Sequence, residues 1–240
     1  MTDAVKWQTK VREKMAIKDE VTDKYSLRGR VYNKIRGDIL EGRYKNNDEL
    51  RELTIGEELG VSRTPVREAF RQLELEGLIR IVPNKGAYVT GITAKDVKDI
   101  YMIRSKLEGL AARWAVAHIT EEQMSEMEEN IYLTEFHASK GHMDQIAILD
   151  NRFHEILYEA CGSKLLEHQL REYHEYVQRV RSKTLSENKR SLASTGEHKL
   201  IMEAIKSGDE NQAEKMANKH IENAYKNIVK SGLEESYPDN

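Results

Sequence analysis

One carboxylate and three histidines carry the spacing of a metal site in this sequence. Asp150 and His154 are four residues apart in a stretch of helical pattern, so their side chains lie one above the other on one helix face. His198 precedes Gly208 by 10 residues and His220 follows it by 12. If two antiparallel helices meet at Gly208, the two imidazoles lie about 15 and 18 Å from the turn, at nearly the same level. The two pairs then need only pack face to face to form a site of one aspartate and three histidines.

Four nitrogen and oxygen donors of this kind suit a divalent transition metal, zinc first, with nickel, manganese or iron as alternatives. Two interpretations of the residues remain open. A single histidine on a half-apolar face is often a core residue with satisfied hydrogen bonds, and Leu149, Phe153 and Leu157 make the face of His154 apolar. A bound metal would be either structural or catalytic, with an open position that activates water. No catalytic motif accompanies the four residues, so we expect no enzyme.

The elements that must position these residues are all helical after Gly91. Thr93-x-x-Asp96 and Thr120-x-x-Gln123 are N-terminal capping signals. The predicted helices begin at these two threonines and continue over residues 142–160, 163–185, 192–206 and 209–231. Six helices with short connections predict an all-α antiparallel bundle over residues 92–231. The histidines without comparable partners are expected at the surface or in packing contacts: His118, His137, His142, His168 and His174.

A second constellation lies in residues 60–77, which read GVSRTPVREAFRQLELEG. Ser62 and Thr64 stand where a helix N-cap is expected, and a proline falls in the first turn, where its missing N–H costs nothing. The apolar residues that recur at helical spacing and predict a buried face are Val66, Ala69, Phe70, Leu73 and Leu75. Arg63 and Arg67 stay near the exposed start of the helix. A short helix that offers arginines in this way suits the major groove of DNA.

Two helices are expected before this one. Residues 53–59 form a partner helix with Thr54 and Glu57 as its capping box, and a Gly-Val turn joins it to the next helix. An earlier helix begins near Ser26 and ends at Gly42. The partner helix and the arginine-bearing helix after it together predict a helix-turn-helix. The alternative is an ordinary helical corner with a solvated basic edge.

The residues after the second helix favour the DNA-binding interpretation. Residues 78–82 and 87–90 have the pattern of two strands around a Pro-Asn-Lys-Gly turn that contains Lys85 and Gly86. A β-hairpin at this place is the wing of a winged helix, and its tip can reach the minor groove. Residues 25–91 are therefore predicted to form a winged helix-turn-helix of three helices and a hairpin.

The run GVSRTPVREAFRQLELEGL, followed by a Pro-x-x-Gly wing, resembles the DNA-binding domain of the GntR family of bacterial transcription regulators. The residues that this resemblance places at the DNA are Arg51, Ser62, Arg63, Thr64, Arg67, Lys85 and Gly86. Some members of the family carry a further DNA-contacting arginine before the second helix. Leu53 stands at about that position here, and Arg51 lies close by.

The second half of the chain resembles the C-terminal effector (FCD) domain of the FadR-type GntR subfamily. The matching stretches are Asp150-Asn-Arg-Phe-His154, Glu197-His198, His220-Ile221 and Arg104-x-x-Leu107-Glu108. The resemblance implies a metal held by the four metal-site residues, a small carboxylate effector bound with its help, and a homodimer. Arg104 is then either a bidentate donor to the effector carboxylate or an ion-pair partner of Glu108 at i+4.

Composition and charge agree with this division. A chain of 240 residues is expected to hold two domains, and its single cysteine, Cys161, fits a reducing compartment. No apolar run is long enough to span a membrane, so we expect a cytoplasmic protein. Residues 24–90 contain 13 Lys and Arg against 10 Asp and Glu, whereas residues 91–240 contain 20 against 26. The positive excess therefore lies on the predicted DNA-binding domain, where phosphate contacts need it.

The sequence thus predicts a ligand-responsive, sequence-specific DNA-binding regulator that reads a pseudo-palindromic operator as a homodimer. By the resemblance it is a repressor. Residues 1–24 are expected to form a flexible arm and residues 232–240 a frayed tail. Two alternatives remain: the same regulator with a purely structural metal, and a metal-dependent enzyme, which would leave the winged helix unexplained.

Overall fold

The computed structural model describes residues 26–83, 85–185, 188–233 and 237; for residues 179–185, 188 and 189 only the backbone is described. The predicted arm over residues 1–24 and most of the predicted tail lie outside this part of the chain. Contacts divide the chain into two units, Met1–Ile92 and Thr93–Asn240. The predicted fold class, a winged helix-turn-helix followed by a helical domain, is confirmed.

The first unit combines helices with a small sheet. Its elements are α1 (Leu27–Leu40), β1 (Glu49–Leu50), α2 (Glu52–Leu59), α3 (Arg63–Leu75), β2 (Ile79–Val82) and β3 (Gly86–Val89). The strands form an antiparallel sheet in the order β1-β3-β2, and Val82 pairs with Gly86 at the wing turn. Gly86 has a φ of 115°, which a side chain rarely adopts. The predicted hairpin is present, and β1 pairs with it as a third strand. The sequence analysis missed β1 because a strand of two residues is too short to show a strand period.

Most residues of this unit that the helical spacing predicts to be buried are buried. Val31, Val66 and Phe70 are buried, as the pattern predicts. The prediction for Leu75 is wrong: it is 83% exposed, because it lies two residues after the buried Leu73 and hence on the other side of the helix. The capping box predicted within residues 53–59 is also wrong. Helix α2 starts one residue earlier, at Glu52, and its N-cap residue makes no capping hydrogen bond through its side chain.

The second unit is helical throughout its described part. Its helices are α4 (Ala94–His118), α5 (Glu121–Lys140), α6 (Met143–Ala160), α7 (Lys164–Leu185), α8 (Asn188–Lys206) and α9 (Glu210–Lys230). Both predicted capping signals are present: the side chains of Thr93 and Thr120 each accept a hydrogen bond from the backbone N–H three residues on, and their own backbone N–H groups donate to the side chains of Asp96 and Gln123. Helix α8 starts four residues before its predicted start at residue 192.

Apolar side chains from all six of these helices form one core. Its members include Ala112, Met127, Phe153, Leu170 and Ile201. Helices α4 and α9 lie against each other, with Tyr101 and Tyr225 in ring contact at 5.8 Å. Ile103 on α4 is 42% exposed and lies outside this core. No helix in the described part of the chain is both long and apolar enough to cross a membrane.

Candidate metal centre and nucleic-acid interface

Three imidazoles from three different helices converge inside the helical unit. His154 lies on α6, His198 on α8 and His220 on α9, and all three are buried. The Nε2 atom of His220 is 3.3 Å from the Nε2 of His198 and 3.3 Å from the Nε2 of His154. The Oδ1 atom of Asp150 lies 3.6 Å from the Nε2 of His198. The structure therefore brings together all four residues that the sequence predicted as metal ligands.

These separations fit a transition metal. Two nitrogens that each lie about 2.05 Å from a tetrahedral zinc ion are about 3.3 Å apart. The two Nε2–Nε2 distances at His220 have this value, and the Asp150 oxygen lies beside His198. Three nitrogen donors and one carboxylate are a donor set that zinc, nickel, manganese and iron accept. The residues present thus fit the metal that the resemblance implies.

Two glutamates orient the imidazoles from outside the cluster. The Oε2 of Glu108 lies 2.8 Å from the Nδ1 of His154, and the Oε2 of Glu197 lies 2.7 Å from the Nδ1 of His220. A carboxylate accepts the Nδ1–H of a neutral imidazole, which leaves the lone pair on Nε2 and points it at the cluster. The sequence analysis did not assign this role to either glutamate, because the contacts join helices that are far apart in the chain.

Both glutamates are ionised in this environment. Burial alone would raise the pKa of the Glu108 carboxyl, but the charge of Arg104 and the hydrogen bond from His154 hold this pKa well below its usual value. Burial also opposes ionisation of Glu197, whose pKa is nevertheless lowered by the hydrogen bond from His220, the charge of Arg190 and a hydrogen bond from Asn223. Each glutamate is therefore an acceptor for its histidine.

Arg104, the predicted effector-binding residue, is fully buried on α4. Its Nε and Nη2 atoms donate to the Oε1 of Glu108, and the Tyr158 hydroxyl donates to the same oxygen over 2.8 Å. Its Nη1 atom is buried and has no hydrogen-bond partner within the described residues. The ion pair with Glu108 is thus formed, while one guanidinium nitrogen is left over for an acceptor that the described residues do not supply.

His174 lies beside the cluster, where the sequence analysis expected a surface or packing residue. Its ring centroid is 5.5 Å from that of His154. Its Nδ1 lies 3.3 Å from the Tyr158 hydroxyl, and its Nε2 lies 3.0 Å from the Oδ1 of Asn151. Asn151, His154 and Tyr158 follow one another at i, i+3 and i+7 on α6, a spacing that signals a shared face. Which residue of α7 meets that face is decided by packing.

In the first unit, most of the predicted DNA-contacting residues surround one cleft of about 600 Å³. The predicted residues that line this cleft are Arg51, Arg63, Arg67, Lys85 and Gly86; Arg71, which the resemblance did not place at the DNA, joins them. Ser62 and Thr64 do not line it. Ser62 is the N-cap residue of α3, although its side chain makes no capping hydrogen bond. Helix α3 and the wing thus present their cations toward one concave surface.

A single carboxylate holds two of the three arginines of α3, Arg63 and Arg67. The Oε1 and Oε2 atoms of Glu52 accept hydrogen bonds from Arg67 at 2.9 Å, and Oε2 also accepts from Arg63 at 2.9 and 3.1 Å. The hydrogen bond from Arg67 contributes most to lowering the pKa of Glu52. Both arginines are more than half exposed, so their remaining N–H groups face solvent. The exposed Leu53 next to Glu52 offers no further cation.

Comparison with known protein families gives matches to both units. Residues 27–89 match the family model described as "Bacterial regulatory proteins, gntR family", and residues 99–223 match the FCD domain. The first match covers the winged helix, and the second covers the three histidines and Arg104.

Individual relatives match over most of their length. The uncharacterized HTH-type transcriptional regulator YdhC of Bacillus subtilis is 30% identical over 207 residues, which are 85% of this chain and 92% of YdhC. The HTH-type transcriptional repressor RspR of Escherichia coli is 27% identical over 87% of this chain and 91% of its own. The solved structure of E. coli McbR/YncC has a TM-score of 0.67 at 21% identity, covering 86% of this chain and 98% of that chain, which shows the shared fold.

Proposed function

This chain belongs to the GntR family of bacterial transcription regulators and carries an FCD domain, and on that premise we propose that it is a metal-dependent repressor that responds to a small carboxylate. Membership of the family means that the winged helix binds DNA and that the FCD domain binds a small-molecule effector. The relatives are regulators, not enzymes. Repression is supported by the relative RspR, which is a transcriptional repressor.

The observation that carries the proposed metal site is the convergence of three buried Nε2 atoms whose imidazoles are oriented by Glu108 and Glu197. Without a metal, three imidazole nitrogens in so small a buried space would leave lone pairs facing each other. His154, His198, His220 and Asp150 would hold the ion. When bound, a metal such as zinc neutralises a carboxylate ligand and can accept a fifth donor.

The effector carboxylate is proposed to bind next to Arg104. The buried Nη1 of this residue lacks an acceptor within the described residues, and an unsatisfied buried donor costs about 1–3 kcal/mol. A carboxylate oxygen would remove that cost and gain a charge-assisted hydrogen bond. His174 and Asn151 lie on the same side of His154 and would meet the polar groups of the effector.

The proposed response requires two arrangements of the DNA-binding units of a homodimer on a pseudo-palindromic operator. The effector changes operator affinity only through its different affinities for the two arrangements. Arg51, Ser62, Arg63, Thr64, Arg67, Lys85 and Gly86 remain the residues proposed to contact the operator.

Metal content measured by mass spectrometry tests the first step of this function. Protein purified without chelator is expected to hold about one metal ion per chain. His198→Ala should remove this metal, because it deletes one of three converging nitrogens. His168→Ala is the matched control, since His168 is an exposed histidine of the same unit and lies outside the cluster. Equal metal content in the two variants would contradict the assignment of His198.

A further inference from the structure

A second concave site in the helical unit lies apart from the histidine cluster. It is an open cleft of about 490 Å³ at the start of α8 and the end of α9. The residues that line it are Arg190, Ala193, Asn223, Lys226, Asn227, Lys230 and Ser231. Three of them are cations, none carries a carboxylate, and none is a proposed metal ligand. The composition of the wall is therefore that of an anion site.

The cations of this cleft differ in how they are held. Arg190 is buried, and its Nη1 atom lies 3.1 and 3.2 Å from the two carboxylate oxygens of Glu197. Lys226 and Lys230 are exposed and one turn apart on α9, and neither forms an ion pair within the described part of the chain. Lysines in the last turn of a helix also complement its dipole, so their charge alone does not define a site.

An independent observation points to a ligand. The Nδ2 atom of Asn227 is enclosed, and no acceptor within the described residues binds it. Asn227 lies on the wall of the cleft between the two lysines in sequence. An unpaired buried donor is costly, and an anionic oxygen in the cleft would satisfy it once the Asn227 amide turns toward the cleft. A lysine-bearing helix face that is only solvated would have no need of an unpaired buried donor beside the lysines.

We propose that this cleft binds a small phosphate-bearing molecule. Lysine side chains bind phosphate as point charges, and an arginine beside them adds directed N–H donors. A cleft of about 490 Å³ lies within the range of small-molecule sites and holds a molecule of the size of a sugar phosphate.

Glu197 links this cleft to the histidine cluster. On the side of the cleft it accepts hydrogen bonds from Arg190 and from the Nδ2 of Asn223 at 2.9 Å; on the other side it lies 2.7 Å from the Nδ1 of His220. An anion that attracts Arg190 weakens its ion pair with Glu197. The Glu197 carboxylate then accepts the hydrogen bond from His220 more strongly. Phosphate binding and metal binding are therefore coupled, and the coupling is reciprocal. The coupling rests on the proposed metal site, whereas binding of the anion does not.

Isothermal titration of the full-length chain with inorganic phosphate, at constant ionic strength and with chelator present, tests the proposed cleft. We expect saturable binding that Lys226→Gln/Lys230→Gln weakens about tenfold or more, because two charge-assisted contacts are lost. The matched control is Lys215→Gln/Lys219→Gln: these lysines are also exposed, lie on the same helix at the same spacing, and do not line the cleft. The control should bind phosphate within about twofold of the original protein.

Equal phosphate affinity in the two variants, or no saturable binding to the original chain, would overturn the proposal. Binding of citrate but not phosphate at these lysines would also overturn the assignment to phosphate. Because chelator is present, these outcomes do not depend on the metal site, which is tested separately by metal content. The coupling predicts that phosphate changes zinc occupancy in the control variant and not in Lys226→Gln/Lys230→Gln.

Discussion

At the scale of the residue, Glu52 connects the two arginines with which α3 is proposed to read DNA. It accepts hydrogen bonds from both and places a negative charge where phosphates must approach. Holding two long side chains in one orientation lowers the entropy lost when they meet base edges. The same charge repels the DNA backbone. Glu52 is thus expected to reduce affinity for DNA in general and to increase discrimination between sequences.

Replacement of Glu52 tests this balance. Glu52→Gln should strengthen binding to non-specific duplex by about threefold to tenfold at low salt, and it should lower the ratio of operator to non-specific affinity. Both affinities are measured by fluorescence anisotropy at fixed salt. Glu57→Gln removes the same charge from an exposed position of the same helix that makes no ion pair within the described residues. If the two variants changed the ratio equally, Glu52 would have no orienting role.

Arg104 allows stability and effector binding to be separated. Removing its charge would leave Glu108 buried and unpaired, which typically costs 3–5 kcal/mol, roughly. Arg104→Lys keeps the charge beside Glu108 but removes the unpartnered Nη1. We expect this variant to retain its metal and its helical fold and to bind a carboxylate probe such as citrate at least about tenfold more weakly. An unchanged citrate affinity by calorimetry would leave Arg104 as a structural partner of Glu108 only.

At the scale of the element, the contact between α4 and α9 depends on one glycine. A Cβ atom on Gly109 would lie 2.0 Å from the Oδ1 and 2.6 Å from the Cγ of Asn218. The absence of a side chain at this position lets the Asn218 amide lie against the backbone of α4. These two helices carry the predicted effector residue and one of the histidines, so their separation sets the geometry of the site.

Gly109→Ala should therefore destabilise the helical unit by about 1–3 kcal/mol, because overpacking outweighs the better helix propensity of alanine. The control is Gly196→Ala on α8, an exposed position where an added Cβ meets nothing within 4 Å. That change should stabilise the unit by about 0.5–1 kcal/mol. Chemical denaturation gives both values. A Gly109→Ala variant as stable as the original would show that Asn218 moves aside without cost.

At the scale of the whole molecule, a metal ion and a carboxylate effector are proposed to bind to the same helical unit. A ligand that binds only the folded state raises its stability in proportion to the logarithm of its concentration. Citrate is therefore expected to raise the melting temperature of metal-loaded protein and to leave chelator-treated protein unchanged. A shift of equal size in both samples would place the carboxylate away from the metal. A metal that raises stability while citrate has no effect would favour the structural alternative.

The sequence by itself determined the elements and the local alignment of the candidate residues. Helical period, capping threonines and glycine breaks predict most helix bounds to within one residue, because these signals act within one or two turns. The same geometry puts Asp150 above His154 and gives His198 and His220 nearly equal distances from the Gly208 turn. What the sequence missed locally, such as β1, was too short to show a period.

Only the tertiary structure decided which faces meet. The rotation of each helix about its axis, and hence the partners of a side chain, depend on how the whole core packs. Packing therefore placed Glu108 behind His154 and Glu197 behind His220, and it brought His174 to the cluster. It also buried Arg104 with one nitrogen that no described residue pairs. Packing also formed the cleft at Arg190. Its walls come from two helices, and no local sequence pattern determines the distance between them.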